Sequence, residues 1–219
     1  MKIIVKTKGG PHSGNFDHAG IPGSVGGSAP SLVTFPDKES ADAYGMETLG
    51  GNYIDSLPAS DKLIITYFTI GGYRSVNKTL KTGKEWPPMP NPFKSLYPGF
   101  MDIDNASVIS TFDKIMDSNE AKVDRSFTAL RGFGEGFFDD KKVGDIFTMQ
   151  GYTSTSLNPA HQWYGGTAKV IIRPGAKGLY IKPASTAEGE YEYLLNRGTR
   201  FRIMQKDENG IHIETFVEE

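Results

Sequence analysis

The spacing of apolar residues changes character once along this chain, near Asp124, and that change limits the fold more than any other feature. Before it, apolar residues recur at helical intervals. Leu63, Ile64, Tyr67 and Phe68 form one such set, and Ala106, Ile109, Phe112, Ile115 and Met116 another, so both stretches predict helices with a core-facing side. After it, short runs separated by Gly and Pro turns continue to the C-terminus, beginning with residues 126–130. Helices first and strands later predict an α+β domain and argue against a doubly wound parallel sheet. Further helices are expected over 37–49, ended by Gly50-Gly51, and from 57–61 onward with Ser60 as N-cap. Another is expected over 73–80, after an interruption at Gly71-Gly72 and ending near Gly83. Residues 86–98 hold too many prolines for a helix or central strand and predict an irregular belt.

The chain has 219 residues, enough for one well-buried core, here assigned to 37–219. Residues 1–36 are dense in Gly, Ser and Pro and predict a flexible segment with little to bury. The net charge of −2 disfavours a dedicated nucleic-acid partner, although Lys78, Lys81 and Lys84 give one helix a basic edge. A solvated face and a phosphate- or partner-binding patch both account for that edge. With no cysteine there is no disulfide framework, thiolate nucleophile or zinc-cysteine site. His12, His18, His161 and His212 lack metal-ligand spacing, so no metal is expected. No stretch is apolar enough to span a membrane, and residues 1–6 are too short for a signal-peptide core. Export would then use another route.

Three short segments carry candidate chemistry. Glu190 and Glu192 stand one residue apart at the start of an apolar run. If 191–195 is a strand, alternation places both carboxylates on one face, where mutual repulsion raises one pKa. Such a pair suits general-base work beside stabilisation of a developing cation. Arg131 closes a predicted strand and is followed by Gly132, which permits close backbone approach to a ligand; its guanidinium can grip a diphosphate or carboxylate. Ser154-Thr155-Ser156 alternates so that Ser154 and Ser156 share a face. Read singly, these are a charged loop, a surface ion pair and the rungs of an edge strand.

Taken in order, Arg131-Gly132, then Ser154-Thr155-Ser156, then Glu190-Tyr191-Glu192 ahead of Leu194-Leu195-Asn196-Arg197-Gly198-Thr199, resemble the Arg–Ser–Glu class of mono-ADP-ribosyltransferases. That class includes ADP-ribosyltransferase exoenzymes and the enzymatic components of binary toxins. The stretch from Phe68 to Leu80 is similar to the family's Tyr-Thr-x-x-x-Tyr-x-x-x-Asn-x-x-Leu helix, with Phe68 replacing its first tyrosine. The string 18–28 resembles linkers of phage head-morphogenesis proteins and suggests a phage-encoded origin.

The resemblance implies a core of two packed, mainly antiparallel β-sheets with an N-terminal helical half and NAD, as substrate, in the cleft. It implies that Arg131 holds the NAD phosphates, that Ser154 orients Glu192, and that Glu192 favours departure of nicotinamide. Glu190 would assist attack by an arginine of a host target protein. Gly132, Tyr73 and Asn77 would line the NAD site, and Trp163 or Tyr164 would stack on nicotinamide or pack in the core. The aromatic that the family commonly places before its Glu-x-Glu is absent at residues 185–188, so Tyr191 is a candidate to read the acceptor. An NAD glycohydrolase and a non-catalytic module on the same fold are the competing readings.

Overall fold

The computed structural model describes residues 31–88, 100, 103–162, 166–208 and 210–218. The expectations for residues 1–30, for 89–99 of the belt, and for Trp163 and Tyr164 lie outside them.

The helical half follows local signals. Helix α1, Lys38–Thr48, starts where the Asp37 carboxylate accepts the Ser40 N–H at 2.7 Å. Helix α2, Gly51–Ser56, follows directly. Helix α3, Ala59–Tyr67, begins after Pro58, so Ser60 is not its cap. Proline already supplies the extended residue before the first turn, and the Ser60 hydroxyl turns to Asp61 Oδ1 at 3.4 Å. A wide turn, Phe68–Gly72, fills the predicted interruption. Helix α4, Tyr73–Thr82, then runs to Gly83, whose φ of 65° supplies the left-handed C-terminal stop. Helix α5 is Asn105–Met116, capped by the Asp104 carboxylate on the Ser107 N–H at 2.7 Å.

Eight strands follow: β1 Phe127–Gly132, β2 Ile146–Thr148, β3 Thr153–Ser156, β4 Thr167–Ile172, β5 Gly178–Tyr180, β6 Glu192–Leu195, β7 Arg200–Asp207 and β8 Gly210–Thr215. Their spatial order is β2-β7-β8-β4-β1-β3-β6-β5, antiparallel throughout except for β4 beside β8. The β1–β3 junction is a single register pair, Leu130↔Ser156. A five-stranded ladder and a three-stranded ladder therefore meet at one rung, which is how the expected two-sheet core is realised. Where β3 has left β1, Val33 takes the vacated edge, donating to the Ser126 carbonyl (2.9 Å) and accepting from the Thr128 N–H (3.0 Å).

Every residue of β6 is buried. Its alternate side chains enter different clusters: Tyr193 and Leu195 pack with Phe127, Val170, Phe201 and Ile213, and Leu194 packs with Ile54, Phe68, Phe112 and Ile115. The three-stranded ladder is thus the middle layer between helices and the larger ladder. At roughly 1.5–3 kcal/mol per fully buried large apolar side chain, this double burial fixes the register of β6. The register in turn places Glu192 at the strand's first position.

Candidate active site

The seam between the two ladders brings four of the predicted polar residues together. Ser156 pairs with Glu192 and Ser154 with Leu194, so the three polar side chains share one face of β3 and β6. The Ser154 hydroxyl donates to Glu192 Oε1 at 2.6 Å. Ser185 adds a second side-chain hydrogen bond to this carboxylate. Glu192 is only 4% exposed. Burial pushes its pKa up to about 7, opposed by the Ser154 hydrogen bond, reinforced by the Glu190 charge, and opposed again by Ser185 and Arg131.

Arg131 reaches this carboxylate's neighbourhood from the end of β1. Its Nη1 donates to the Ser154 main-chain carbonyl, and its guanidinium carbon lies 5.2 Å from the Phe133 ring centroid. Desolvation pulls its pKa down to about 10 while the Glu192 charge opposes the fall, leaving a full positive charge at neutral pH. Its Nε is buried without a partner. Gly132, next to it, is held by the β1–β4 ladder opposite Thr167.

The expected strand over 191–195 with both glutamates on one face is not what forms. Glu188–Glu190 is a 3-10 turn, Tyr191 adopts φ 50° and ψ 54°, and β6 starts only at Glu192. The reversal at Tyr191 breaks the period of two. Three consecutive carbonyls of this turn are fastened to the segment that leaves β3. Gly189 accepts from the Asn158 side chain (3.3 Å), Glu190 from the Ser156 hydroxyl, and Tyr191 from the Leu157 N–H (3.1 Å). Glu190 remains near enough for its charge to raise the Glu192 pKa. The sequence reading singled out none of Ser156, Asn158 and Ser185 for a role in the site. A signal existed in Asn158-Pro159, a turn pair directly after Ser-Thr-Ser.

Asn77 is engaged by the main chain that enters β3. Its side-chain amide donates to the Tyr152 carbonyl and its Oδ1 accepts the Tyr152 N–H, both at 3.0 Å. A Cβ on Gly151 would lie 2.3 Å from Asn77 Oδ1, so glycine is what lets α4 approach this closely. The Tyr152 hydroxyl donates to Asp113 Oδ1 (2.9 Å), and Asp113 grips Arg197 bidentately at 2.8 and 2.9 Å. The residue just before β3 is therefore tied to α4, α5 and the β6–β7 turn. Tyr73 is exposed one turn before Asn77, its hydroxyl accepting from Arg74 Nε at 3.2 Å. Among the described residues no cluster of His, Asp and Glu could hold a metal ion.

A buried carboxylate titrating near neutrality, a second carboxylate beside it and a desolvated guanidinium thus meet at one seam. Residues 130–217, which carry Arg131, Ser154, Glu190 and Glu192, match the family model described as ADP-ribosyltransferase exoenzyme. No curated protein sequence matches the chain. Among solved structures, Plx2a, an ADP-ribosyltransferase toxin from Paenibacillus larvae, superposes with a TM-score of 0.63 at 20% identity, over 85% of this chain and 100% of that one. The C3 exoenzyme of Clostridium limosum gives 0.63 at 20% identity, over 85% and 98%. C3stau2 from S. aureus, solved with NAD, gives 0.62 at 16% identity, over 86% and 100%. The described chain thus has the fold of the ADP-ribosyltransferase toxins, and its residues 130–217 are similar to the ADP-ribosyltransferase exoenzyme family. These findings carry no indication of a phage origin.

Proposed function

We propose that this protein transfers ADP-ribose from NAD to arginine side chains of a target protein in a host cytoplasm, releasing nicotinamide, as a toxin or effector. The observation that carries the reading is Glu192: buried, fixed by Ser154, flanked by Glu190, and facing the charge of Arg131.

NAD as substrate fits the residues present. Arg131 uses Nη1 on the Ser154 carbonyl, while its buried Nε lacks an acceptor that a diphosphate oxygen would supply. Glu192, once ionised, accepts a hydrogen bond from the ribose 2′-hydroxyl and offsets the positive charge that grows at C1′ as the bond to nicotinamide breaks. The bonding pair leaves with nicotinamide. A guanidinium nitrogen of the acceptor then bonds to C1′, and its proton passes to Glu190. An arginine acceptor is cationic, so the carboxylate that takes its proton also attracts it. Gly132 and Tyr73 stand as candidate NAD contacts. Asn77 acts on the site through Tyr152.

Labelled NAD incubated with host lysate tests the reading. Label should appear on protein as ADP-ribosyl-arginine by mass spectrometry, with nicotinamide released, and Glu192→Ala should abolish both. Equal behaviour of wild type and Glu192→Ala, with no label and no nicotinamide, would refute it. The absent aromatic before Glu188 keeps the glycohydrolase reading in view. Glu190→Ala separates the two, because a transferase loses protein labelling while keeping some NAD cleavage.

A further inference from the structure

Tyr191, between the two glutamates, is the only residue other than glycine with positive φ among the described residues. A left-handed backbone at an aromatic residue costs about 1–3 kcal/mol and persists only where the surroundings over-determine it. The carbonyl anchors from Ser156, Leu157 and Asn158 hold the backbone. A separate device holds the ring. Lys182 Nζ lies 4.3 Å from the Tyr191 ring centroid and 2.8 Å from Asp42 Oδ2, and Asp42 Oδ1 accepts the Tyr180 hydroxyl at 2.7 Å. Lys182 stands two residues beyond β5, and the intervening Ile181 N–H donates to the Glu192 carbonyl at 3.0 Å. The stack therefore runs from α1 through Asp42 and Lys182 to the ring that caps the reversed turn.

Magnitudes suggest what this stack is for. The Lys182 and Asp42 side chains are 24% and 34% exposed, so their ion pair is partly shielded from salt and holds Lys182 in one place. A cation over a partly desolvated aromatic face contributes about 0.5–2 kcal/mol, comparable with the backbone strain it sits on. The ring is also engaged from below, which leaves it poorly suited to the acceptor-reading role considered for it.

We infer that Lys182, held by Asp42 and stacked under Tyr191, is a positioning residue that aims Glu190 and so sets how ADP-ribose divides between an acceptor side chain and water. The inference rests on the transferase reading above. In both branches the C1′–nicotinamide bond breaks with its electron pair going to nicotinamide. In one branch a guanidine nitrogen bonds to C1′ and its proton goes to Glu190; in the other a water oxygen does so and its proton goes to solvent. Releasing the stack frees the Tyr191 ring and, with it, the aim of the neighbouring Glu190 side chain, while the carbonyl anchors keep the backbone and leave Arg131, Ser154 and Glu192 in place.

The test uses the full chain with NAD and agmatine as guanidino acceptor, measuring ADP-ribosyl-agmatine, total nicotinamide release and the KM for NAD. Lys182→Met and Asp42→Asn should lower transfer about tenfold, the scale of a modest misalignment, while acceptor-free NAD cleavage and KM stay within about twofold. Tyr191→Phe, which keeps the ring, should behave as wild type. A second readout needs no acceptor. Arg131, Ser154, Ser185 and Glu190 face Glu192, and a displaced Glu190 charge should move the pH midpoint of NAD cleavage downward. Transfer and cleavage falling together, or Lys182→Met matching wild type in both partition and midpoint, would overturn the inference. A wild type that releases no nicotinamide at all would instead overturn the transferase reading.

Discussion

Glu192 shows how a single side chain is tuned by opposing effects of unequal size. Burial is the largest and, together with the Glu190 charge, outweighs the hydrogen bonds from Ser154 and Ser185 and the charge of Arg131, so the pKa rises from 4.5 to about 7. Because the folded pKa lies above the unfolded one, the contribution of this group to stability is most favourable below pH about 4.5, where it is protonated in both states. It falls as pH rises toward about 7, where the folded state too becomes ionised, and is flat above. Glu192→Gln cannot ionise and should not follow this fall. The variant is expected to gain on wild type between pH about 4.5 and about 7, reaching on the order of 3 kcal/mol, as read by urea unfolding at several pH values. A constant difference across that range would show that Glu192 is not held as a desolvated acid. The same substitution should abolish NAD cleavage, separating what this residue does for chemistry from what it does to stability.

The elements differ in how far they could be read in advance. Helix α5 was legible because Phe112, Ile115 and Met116 recur at helical spacing, although Val108 and not the exposed Ala106 completes its buried face; α4 was legible because two glycines precede it and Gly83 ends it. Arg131, Ser154 and Glu192 were legible through the ordered resemblance. Ser60 was misread because the choice between a serine cap and a preceding proline is settled by backbone angles. The Glu190–Tyr191 reversal was not legible, since no residue type there demands a positive φ; only anchors from a segment some thirty residues earlier impose it. The link from α4 to β3 was likewise invisible, because it joins an amide to the main chain of a residue distant in sequence. Gly151 gives that link a test. In Gly151→Ala the new Cβ would meet Asn77 Oδ1 at 2.3 Å, forcing the clamp on Tyr152 apart. Losing two part-buried hydrogen bonds should destabilise by about 1–3 kcal/mol. Displacing Tyr152 moves Ser154 too, so kcat for NAD cleavage should fall. If Gly151→Ala, measured by thermal melts and nicotinamide release, matches wild type in both, the clamp does not position β3.

At the scale of the whole molecule, the five-stranded ladder contributes Arg131 and the three-stranded ladder contributes Ser154 and Glu192, and β1 meets β3 at one rung only. A ligand gripping both sides of that junction adds the contacts that the backbone omits. NAD should therefore stabilise the chain as a unit: at a hundredfold excess over Kd, one site adds about 2.7 kcal/mol, or roughly 5–10 °C in Tm for a chain of this length. Arg131 is the hinge of that coupling. Arg131→Met removes a desolvated charge and one hydrogen bond to the Ser154 carbonyl, changes of opposite sign, so the ligand-free Tm should stay within about 4 °C of wild type. Its NAD-dependent rise should vanish. Arg131→Lys keeps the charge but not the planar fork, and should retain only a fraction of the rise. A full NAD-dependent shift in Arg131→Met would mean that the dinucleotide is held from one ladder alone, and the seam would then be a feature of folding with no part in binding.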